Sequence, residues 1–488
     1  MSDLIIDCFA GGGGASVGIE MALGRPVDIA INHDPLAIRM HAMNHPETYH
    51  YTEDIMKVSI RDRIKPQDKV RFMWASPDCT QHSRAKGGKP VERGLRILPY
   101  GVRRLCVQIL HITGSLPEVI IMENVAEIQD WGPLDENNKP IKERKGEDYK
   151  KFINSMKSLG YDFDCREIVA ADYGVPTTRK RWYAIFRCDG RTIVWPKPTH
   201  NKNGSNGLKP WVPIHTILNF TDLGKSIFGR KKPLAENTMN RIAQGLWKFV
   251  FNNPEPFIVQ VNHGGNHFRG QNIHKPIPTI TQKHGFGIVT PIMESCKSNH
   301  GIIMSYITKF YKTGTGQSML EPIHTITTSP GHFGQVSLFA VKKEELLKAG
   351  ATDEVLQSCT YASQFIIEYY GNSTGQMVTD PIHTIVTKDR FALITVLGNE
   401  YVILDIYLRM LTAEELKLGQ GFPKDYIIDR YKNWVQVPVH EKVKRIGNSV
   451  CPGVAKVLTE ANVPYLRIGE RMPNLCIDDE KEQISFVI

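Results

Sequence analysis

Four short apolar runs in the first 195 residues constrain this chain most: LIIDCF (4–9), VDIAIN (27–32), VRFMWAS (70–76) and EVIIMENV (118–125). The last two are nearly unbroken. A strand with one face in water alternates apolar and polar residues, whereas one covered on both faces reads as a continuous apolar run. Stretches of helical pattern separate the runs. Covered strands alternating with helices predict a doubly wound α/β domain of the Rossmann-like class around a parallel sheet. Ligands bind such a sheet beyond the carboxyl ends of its strands, so the residues just after each run are the first candidates for a site.

The chain has 488 residues, enough for about three domains. Its 41% hydrophobic and 23% charged content is that of a globular protein and excludes disorder as the main state. No apolar run approaches the roughly 20 residues needed to span a bilayer, so no membrane association is expected. Met1-Ser2-Asp3 runs straight into LIIDCF without the pattern of a signal peptide, and no leader is expected. The nine cysteines include no CxxC pair and no zinc-type spacing. Neither a disulfide scaffold nor a metal site is expected, and the compartment is read as reducing cytoplasm. Lys plus Arg outnumber Asp plus Glu, 60 to 51, for a net charge of +9, which suits a polyanionic partner.

Changes of texture divide the chain. Residues 1–195 read as the first part of the α/β domain. Residues 196–404, rich in Pro, Gly, Asn and His, read as an inserted, mainly β domain. Helical periodicity returns over 405–470, which completes the α/β domain, and 471–488 reads as an acidic tail. Within the first part, the polar stretch 131–148 reads as a surface loop, with nothing in it to form a core. The middle region carries an internal repeat: PIHTIL (213–218), PIPTIT (276–281), PIHTIT (322–327) and PIHTIV (381–386). The last three copies have Gly-Gln six residues before the Pro, an alternating apolar run upstream (257–261, 306–311 and 365–370) and another downstream. The unit predicts a strand, a Gly-bearing loop, a Pro-led strand, a turn and a strand.

Four pieces carry chemistry. LIIDCF runs into Ala10-Gly11-Gly12-Gly13-Gly14 and a helix, a strand-to-helix turn where glycine lets a ligand approach the backbone; a tight turn packed on the sheet is the plainer alternative. Asp54, in TEDI, stands near the end of the third α/β unit, either to read an adenine ring or to cap a helical turn. Cys79, in SPDCTQHS, follows a covered strand, where a thiol of lowered pKa can act as a nucleophile; an inert buried thiol is the alternative. Glu123-Asn124-Val125 ends another covered strand, where a carboxylate needs a partner. Arg179 and Arg181, in PTTRKRW, share one face if the segment is a strand, with a solvated strand end as the alternative.

In order and spacing these pieces resemble the DNA cytosine-5 methyltransferase family, of bacterial or phage type. DCFAGGGG is similar to its S-adenosylmethionine-binding motif, SPDCTQHS to its Pro-Cys nucleophile motif, MENV to its Glu-Asn-Val motif and YGVPTTRKRW to its Gln-x-Arg-x-Arg motif. RMLTAEELKLGQGFP and IGNSVCPGVAKVL are similar to its last two motifs. The resemblance covers residues 1–195 and 405–465. It implies an S-adenosyl-L-methionine site made of Phe9, Ala10, Gly11, Gly12 and Gly13; of Asn32, His33 and Asp34 near the ribose; of Asp54 and Ile55 near the adenine; and of Asn448, Ser449 and Val450. Whether Asn32 or Asp34 takes the ribose stays open. Cys79 would add to C6 of a flipped-out cytosine. Glu123, with a pKa raised by burial, would hold a proton at ring N3. Asn124 would stand beside it, Arg181 would hold O2, and Arg179 would support the same site.

The basic stretch after the nucleophile would close over the nucleotide, with Gly87-Gly88 as hinge and Ser83, Arg84, Lys86, Arg93 and Arg96 on the DNA. The inserted domain would recognise the target, with Asn266, Arg269 and Lys312 in loops that differ between the repeats. Three departures from the family pattern stand out: Asp78 separates Pro77 from Cys79, Asn32 stands where the family has an acidic residue after the second strand, and Thr177 replaces the usual Gln. The implied partner is double-stranded DNA, with a cognate restriction endonuclease as a further one, and a monomer in a prokaryotic cell, nucleoid-associated or phage-encoded, is expected. The rival is an RNA (tRNA) cytosine-5 methyltransferase of the same fold, which the long insert opposes. A catalytically dead DNA-binding protein is opposed by the presence of Cys79, Glu123 and Arg181.

Overall fold

The computed structural model describes residues 2–78, 96–219, 221–235, 238–239, 242, 405–431 and 435–468, and, between 257 and 404 and after 474, the strands named below. Its centre is a seven-stranded sheet: β1 (Asp3–Cys8), β2 (Ile29–Ile31), β3 (Tyr49–Tyr51), β4 (Lys69–Ala75), β5 (Val119–Asn124), β6 (Asp162–Val169) and β7 (Lys180–Arg187), in the order β3-β2-β1-β4-β5-β7-β6. The first five run parallel. β7 lies antiparallel between β5 and β6. The covered runs are therefore strands, and VRFMWAS and EVIIMENV occupy the middle, where β5 is buried at every position.

Both faces are filled. One packs Ile6, Met73, Ile120 and Met122 against α3 (Leu98–Thr113) and α4 (Glu147–Lys157). The other packs Ile5, Phe72, Trp74 and Ile121 against α1 (Gly14–Leu23) and α7 (Pro452–Asn462). The chain thus returns near its end to cover its own first helix. A third cluster joins Val17 and Met40, on α1 and α2 (Pro35–Asn44), to Leu416, Phe422, Tyr426 and Ile446, on and around α5 (Ala413–Gly419) and α6 (Val439–Asn448). Strand order reverses direction between β1 and β4, which puts the ligand crevice at the carboxyl ends of those strands.

Trp131 corrects the reading of 131–148 as all surface. It is 3% exposed, belongs to the core and meets the rings of Tyr100 and Phe152 at 5.9 and 6.2 Å. The polar residues after it hid one aromatic anchor.

A small parallel pair, β8 (His200–Asn201) and β9 (Lys209–Pro210), follows the sheet. The second large sheet has nine strands. β10 (Lys225–Ser226), β18 (Asn399–Met410), β16 (Phe333–Lys342), β14 (Ile302–Lys309), β13 (Gly287–Ile292), β11 (Phe257–Gln260) and β12 (Gln271–Asn272) lie in that order; β15 (Gly316–Gln317) pairs β11 and β14, and β17 (Leu393–Val396) pairs β18. The apolar runs flanking the repeats supply β11, β13, β14, β16 and β17. The third upstream run (365–370) and the hexads at 276–281, 322–327 and 381–386 lie outside the described residues. In the first hexad, Ile214–Ile217 form a single 3-10 turn rather than a strand. β18 runs unbroken from Asn399 to Met410, across the expected boundary at 404/405. The expected tail contains an antiparallel pair, β19 (Leu475–Asp478) with β20 (Gln483–Phe486).

Candidate active site

Glu123 is the penultimate residue of β5, with Val119 and Ile121 on its face of the sheet, and is 5% exposed. β7 and the residue just before it bring two arginines to the same site. Arg179 Nη2 stands 3.7 Å and Arg181 Nε 3.3 Å from Glu123 Oε1. Both guanidiniums are buried, at 4% and 8% exposure, which excludes the solvated strand end. Arg179 is held from behind: its Nη1 donates to the Gly447 carbonyl at 3.0 Å, and its main-chain N–H to Thr177 Oγ1 at 3.2 Å. Thr177 therefore has a local role of its own where glutamine was expected. Among the described residues, Glu123 Oε1 and Arg179 Nε are buried without a hydrogen-bond partner, which leaves polar capacity open at this point of the site. Cys451 lies in the same field; burial pushes its thiol up to about 12, against the pull of Arg179 and Arg181. It is an inert neighbour that sequence reading passed over.

Asn124 points the other way. Its Nδ2 donates to the Pro77 carbonyl at 3.1 Å and its Oδ1 accepts from the Val125 N–H at 2.9 Å. It ties the end of β5 to the segment leaving β4, two residues before Cys79. Cys79, Ser83, Arg84, Lys86 and Arg93 lie outside the described residues, as do Asn266, Arg269 and Lys312. Arg96 is described and does not face phosphates: it is 5% exposed and donates to the Gly132 carbonyl at 2.9 Å. Assigning it to DNA treated a basic stretch as uniformly solvated, whereas the chain turns inward there. Arg96 bounds a separate cavity of about 380 Å3 with Ile97, Tyr100, Trp131, Leu134 and Asp148, none of which lines the groups described here.

The second group gathers beyond β1, β2 and β3. Phe9 takes a left-handed backbone, φ 64°, and Gly13 another, φ 84°, and between them the chain turns sharply into α1. The Ala10 N–H bonds to the Ile31 carbonyl at 3.0 Å, fixing the turn to β2. A Cβ on Gly11 would meet nothing closer than the Phe9 carbonyl, at 3.8 Å. Gly12, Gly13 and Gly14 instead face the chain itself, at Arg445, Tyr426 and Val450. Tight packing holds at Gly12, Gly13 and Gly14, while the space beside Gly11 is open.

After β2, Asn32 accepts the Asp34 N–H at 2.8 Å and donates to the Ala10 carbonyl at 3.3 Å. Asp34 caps α2 through the N–H groups of Leu36 and Ala37 and pairs with Arg445 Nη1 at 2.6 Å. Burial works against its charge, but Arg445 and the two amides hold its carboxyl below the usual range. His33 is exposed between them. After β3, Asp54 Oδ1 accepts the Met56 N–H at 2.9 Å, the capping role, with Ile55 buried beside it. From the far end of the chain Asn448 is exposed at the end of α6, while Ser449 and Val450 are buried against the glycine turn. Ser449 Oγ accepts the Gly14 N–H at 2.9 Å. Among the described residues no group of three or more His, Cys, Asp or Glu could hold a metal ion, and no helix is long and apolar enough to cross a membrane.

A family model described as C-5 cytosine-specific DNA methylase matches residues 4–463. Type II methyltransferase M.SacI of Streptomyces achromogenes is 25% identical over 241 residues, covering 46% of this chain and 57% of its own length. Type II methyltransferase M.AquIA of Picosynechococcus sp. is 26% identical over 240 residues, 45% of this chain and 88% of its own. Type II methyltransferase M1.HphI of Haemophilus parahaemolyticus is 27% identical over 210 residues, 42% of this chain and 52% of its own. The chain thus spans little more than half the length of two of these relatives. The crystal structure of the S. pombe Dnmt2 methyltransferase superposes with a TM-score of 0.46 at 13% identity, covering 96% of this chain and all of that one, too loose a likeness to carry an argument.

Proposed function

Because the chain belongs to the C-5 cytosine-specific DNA methylase family, we propose that it methylates C5 of cytosine within a specific sequence of duplex DNA, using S-adenosyl-L-methionine. The observation that carries the reading is the buried group of Glu123, Arg179 and Arg181, one strand away from the segment that leads to Cys79. A buried carboxylate flanked by two buried guanidiniums, with Glu123 Oε1 and Arg179 Nε not hydrogen-bonded, suits a planar, polar ring that enters from outside.

The turn at residues 9–13 fits the cofactor. It lies where strand order reverses, its Gly11 position is open, and exposed or half-exposed polar residues, His33, Asn32, Asp34 and Asn448, border it. When bound, S-adenosyl-L-methionine supplies an electrophilic methyl group. Asn32 already spends both ends of its amide within the protein and Asp34 is engaged by Arg445, so either would meet a ribose hydroxyl with the remaining acceptor capacity of its oxygens.

Cys79 would act as thiolate and form a bond from Sγ to C6, which places an electron pair at C5 for the incoming methyl. Removal of the C5 proton then re-forms the C5–C6 double bond and expels the Cys79 thiolate. Arg181 would hold the base carbonyl O2 and stabilise charge developing there. Glu123 would contact the N3 edge. Arg179 would fix the Glu123 carboxylate from behind, anchored on Gly447. Asn124 would set the path of the Pro77 carbonyl and with it the start of the nucleophile segment. The relatives' printed names, type II methyltransferases, support a role in type II modification; a cognate endonuclease, a monomeric state and a cytoplasmic location complete the proposed reading.

The test is covalent trapping. Duplex DNA with 5-fluorocytosine at the target position should form a stable adduct with the wild-type protein and cofactor, because fluorine does not leave as a proton does, and none with Cys79→Ser. Absence of a wild-type adduct, alongside methyl transfer to ordinary DNA, would rule out the Cys79 route. Transfer to tRNA rather than duplex DNA would overturn the substrate.

A further inference from the structure

The glycine turn is shaped by residues more than 400 positions away. The Tyr426 hydroxyl donates to the Gly12 carbonyl at 2.9 Å, and its ring is buried, with its centroid 4.7 Å from that of Phe422 and 6.0 Å from that of His45. That hydroxyl also occupies the space a Cβ on Gly13 would need, and the Arg445 carbonyl lies 2.6 Å from where a Cβ on Gly12 would stand. On the other side of the turn the Gly14 N–H is held by Ser449 Oγ, and the Ser449 carbonyl accepts from Gln420 Nε2 at 2.7 Å. Burial holds the phenol protonated, so the tyrosine is a permanent donor. A carbonyl fixed in direction also fixes the peptide plane it belongs to and the N–H of the next residue, here Gly13.

We propose that Tyr426 is a positioning residue for cofactor binding: its hydroxyl locks the Gly12 peptide plane and thereby the open face of the turn at Gly11. The inference rests on the reading that residues 9–13 hold the cofactor. Tyr426 acts through the Gly12 carbonyl, so its contribution is to binding and not to methyl transfer. Tyr426→Phe keeps the ring and its packing and removes only the donor. A neutral hydrogen bond of ordinary net strength corresponds to a roughly 3- to 10-fold change in equilibrium.

The experiment compares full-length wild type, Tyr426→Phe, Ser449→Ala and Gly11→Val, each checked for folding by circular dichroism. The readouts are the Kd for S-adenosylmethionine by calorimetry and KM and kcat at saturating DNA. Tyr426→Phe should raise Kd and KM for the cofactor about 3- to 10-fold with kcat within twofold. Ser449→Ala, which frees the other side of the turn, should raise Kd similarly. Gly11→Val places a side chain on the open face and should lose most binding. If Gly11→Val loses binding while Tyr426→Phe keeps the wild-type Kd, or if Tyr426→Phe lowers kcat with Kd unchanged, the positioning role is wrong. If Gly11→Val binds the cofactor as wild type does, the turn is not the cofactor site and the premise fails instead. Should Tyr426→Phe not fold, a wild-type Kd in Ser449→Ala overturns the proposal on its own.

Discussion

Asp7, buried near the end of β1, is pushed up to about 7 by the loss of solvation, with the Ser16 hydroxyl pulling the other way. It opens a chain of contacts running outward: Ser16 Oγ donates to Asp7 Oδ2 at 2.7 Å, His41 Nε2 meets Ser16 Oγ at 3.0 Å, and His50 Nε2 meets His41 Nδ1 at 2.8 Å. Burial, with His45 and His50 nearby, keeps His41 well below its ordinary value and therefore neutral. The two groups bend the stability curve in opposite senses. The unfolded chain releases the Asp7 proton near 3.8 and the folded one near 7, so the contribution of Asp7 is full below the lower value and lost as pH rises through the upper one. His41, depressed in the fold, contributes above 6.5 and loses that contribution as pH falls. Asp7→Asn keeps an acceptor for Ser16 and removes the first effect alone. The stability of the variant relative to wild type should climb by up to roughly 1.4 kcal/mol per pH unit between about pH 4 and 7, read from urea unfolding at each pH. Parallel curves for the two proteins would refute the assignment. At the active site, Glu123→Gln should cut turnover by roughly 100-fold or more if the carboxyl serves the N3 edge, with cofactor affinity unchanged; near-normal turnover in a single-turnover assay would remove Glu123 from that role.

At the scale of elements, a buried ion pair ties the end of β18 to α5. Arg409, near the end of β18, offers Nη1 to Glu415 Oε2 at 3.0 Å and Nη2 to Glu415 Oε1 at 2.9 Å, while its Nε reaches the Asp222 carbonyl at 2.7 Å. Glu415 also closes the capping box of α5 with Thr412 and accepts the Asn219 N–H at 2.9 Å. Both side chains are almost wholly buried. Glu415→Ala would strand a buried guanidinium and should cost about 3–5 kcal/mol, whereas Thr412→Ala, which loses only the cap, should cost about 1 kcal/mol. Equal losses in urea unfolding would mean that the pair is solvated and the cap does all the work. The same elements mark what the sequence could convey. LIIDCF and EVIIMENV announce covered strands because burial on both faces leaves its mark on every residue of a run. Glu123 and Arg181 were legible because a charge at the end of such a run demands a partner. Tyr426, Arg445 and His41 were not, because their partners are made by chain closure across tens to hundreds of residues, and no local period encodes such a contact. Arg96 and Trp131 misled for a related reason: each is a single inward-facing residue in a stretch whose average character is polar.

For the whole molecule, the proposed function asks how one chemical centre would serve one DNA sequence. The seven-stranded sheet and the returning helix α7 pack around the glycine turn and the Glu123 group, while β10 and β18 pair within the separate nine-stranded sheet. That sheet is built largely from the apolar runs that flank the repeated hexads, so the repeat itself reads as scaffold. A scaffold common to several units cannot distinguish bases; only what differs between them can. The segments 263–272, 312–318 and 371–377 differ most between the copies, and the first two carry Asn266, Arg269 and Lys312, side chains able to bond base edges or phosphates. Alanine at Asn266 or Arg269 should therefore relax the methylated site, each lost base contact costing about 1–3 kcal/mol of discrimination. Alanine at Lys312, if it contacts phosphate, should weaken binding evenly across sequences and flatten its salt dependence. A polar residue at Ile280, Ile326 or Ile385 should instead destabilise the domain if these positions pack as the repeat implies. Bisulfite sequencing of DNA from cells expressing each variant reads the site, and equilibrium binding at two salt concentrations reads the affinity. If alanine at all three loop positions left both the methylated sequence and the affinity as in wild type, sequence choice would have to lie elsewhere in the chain.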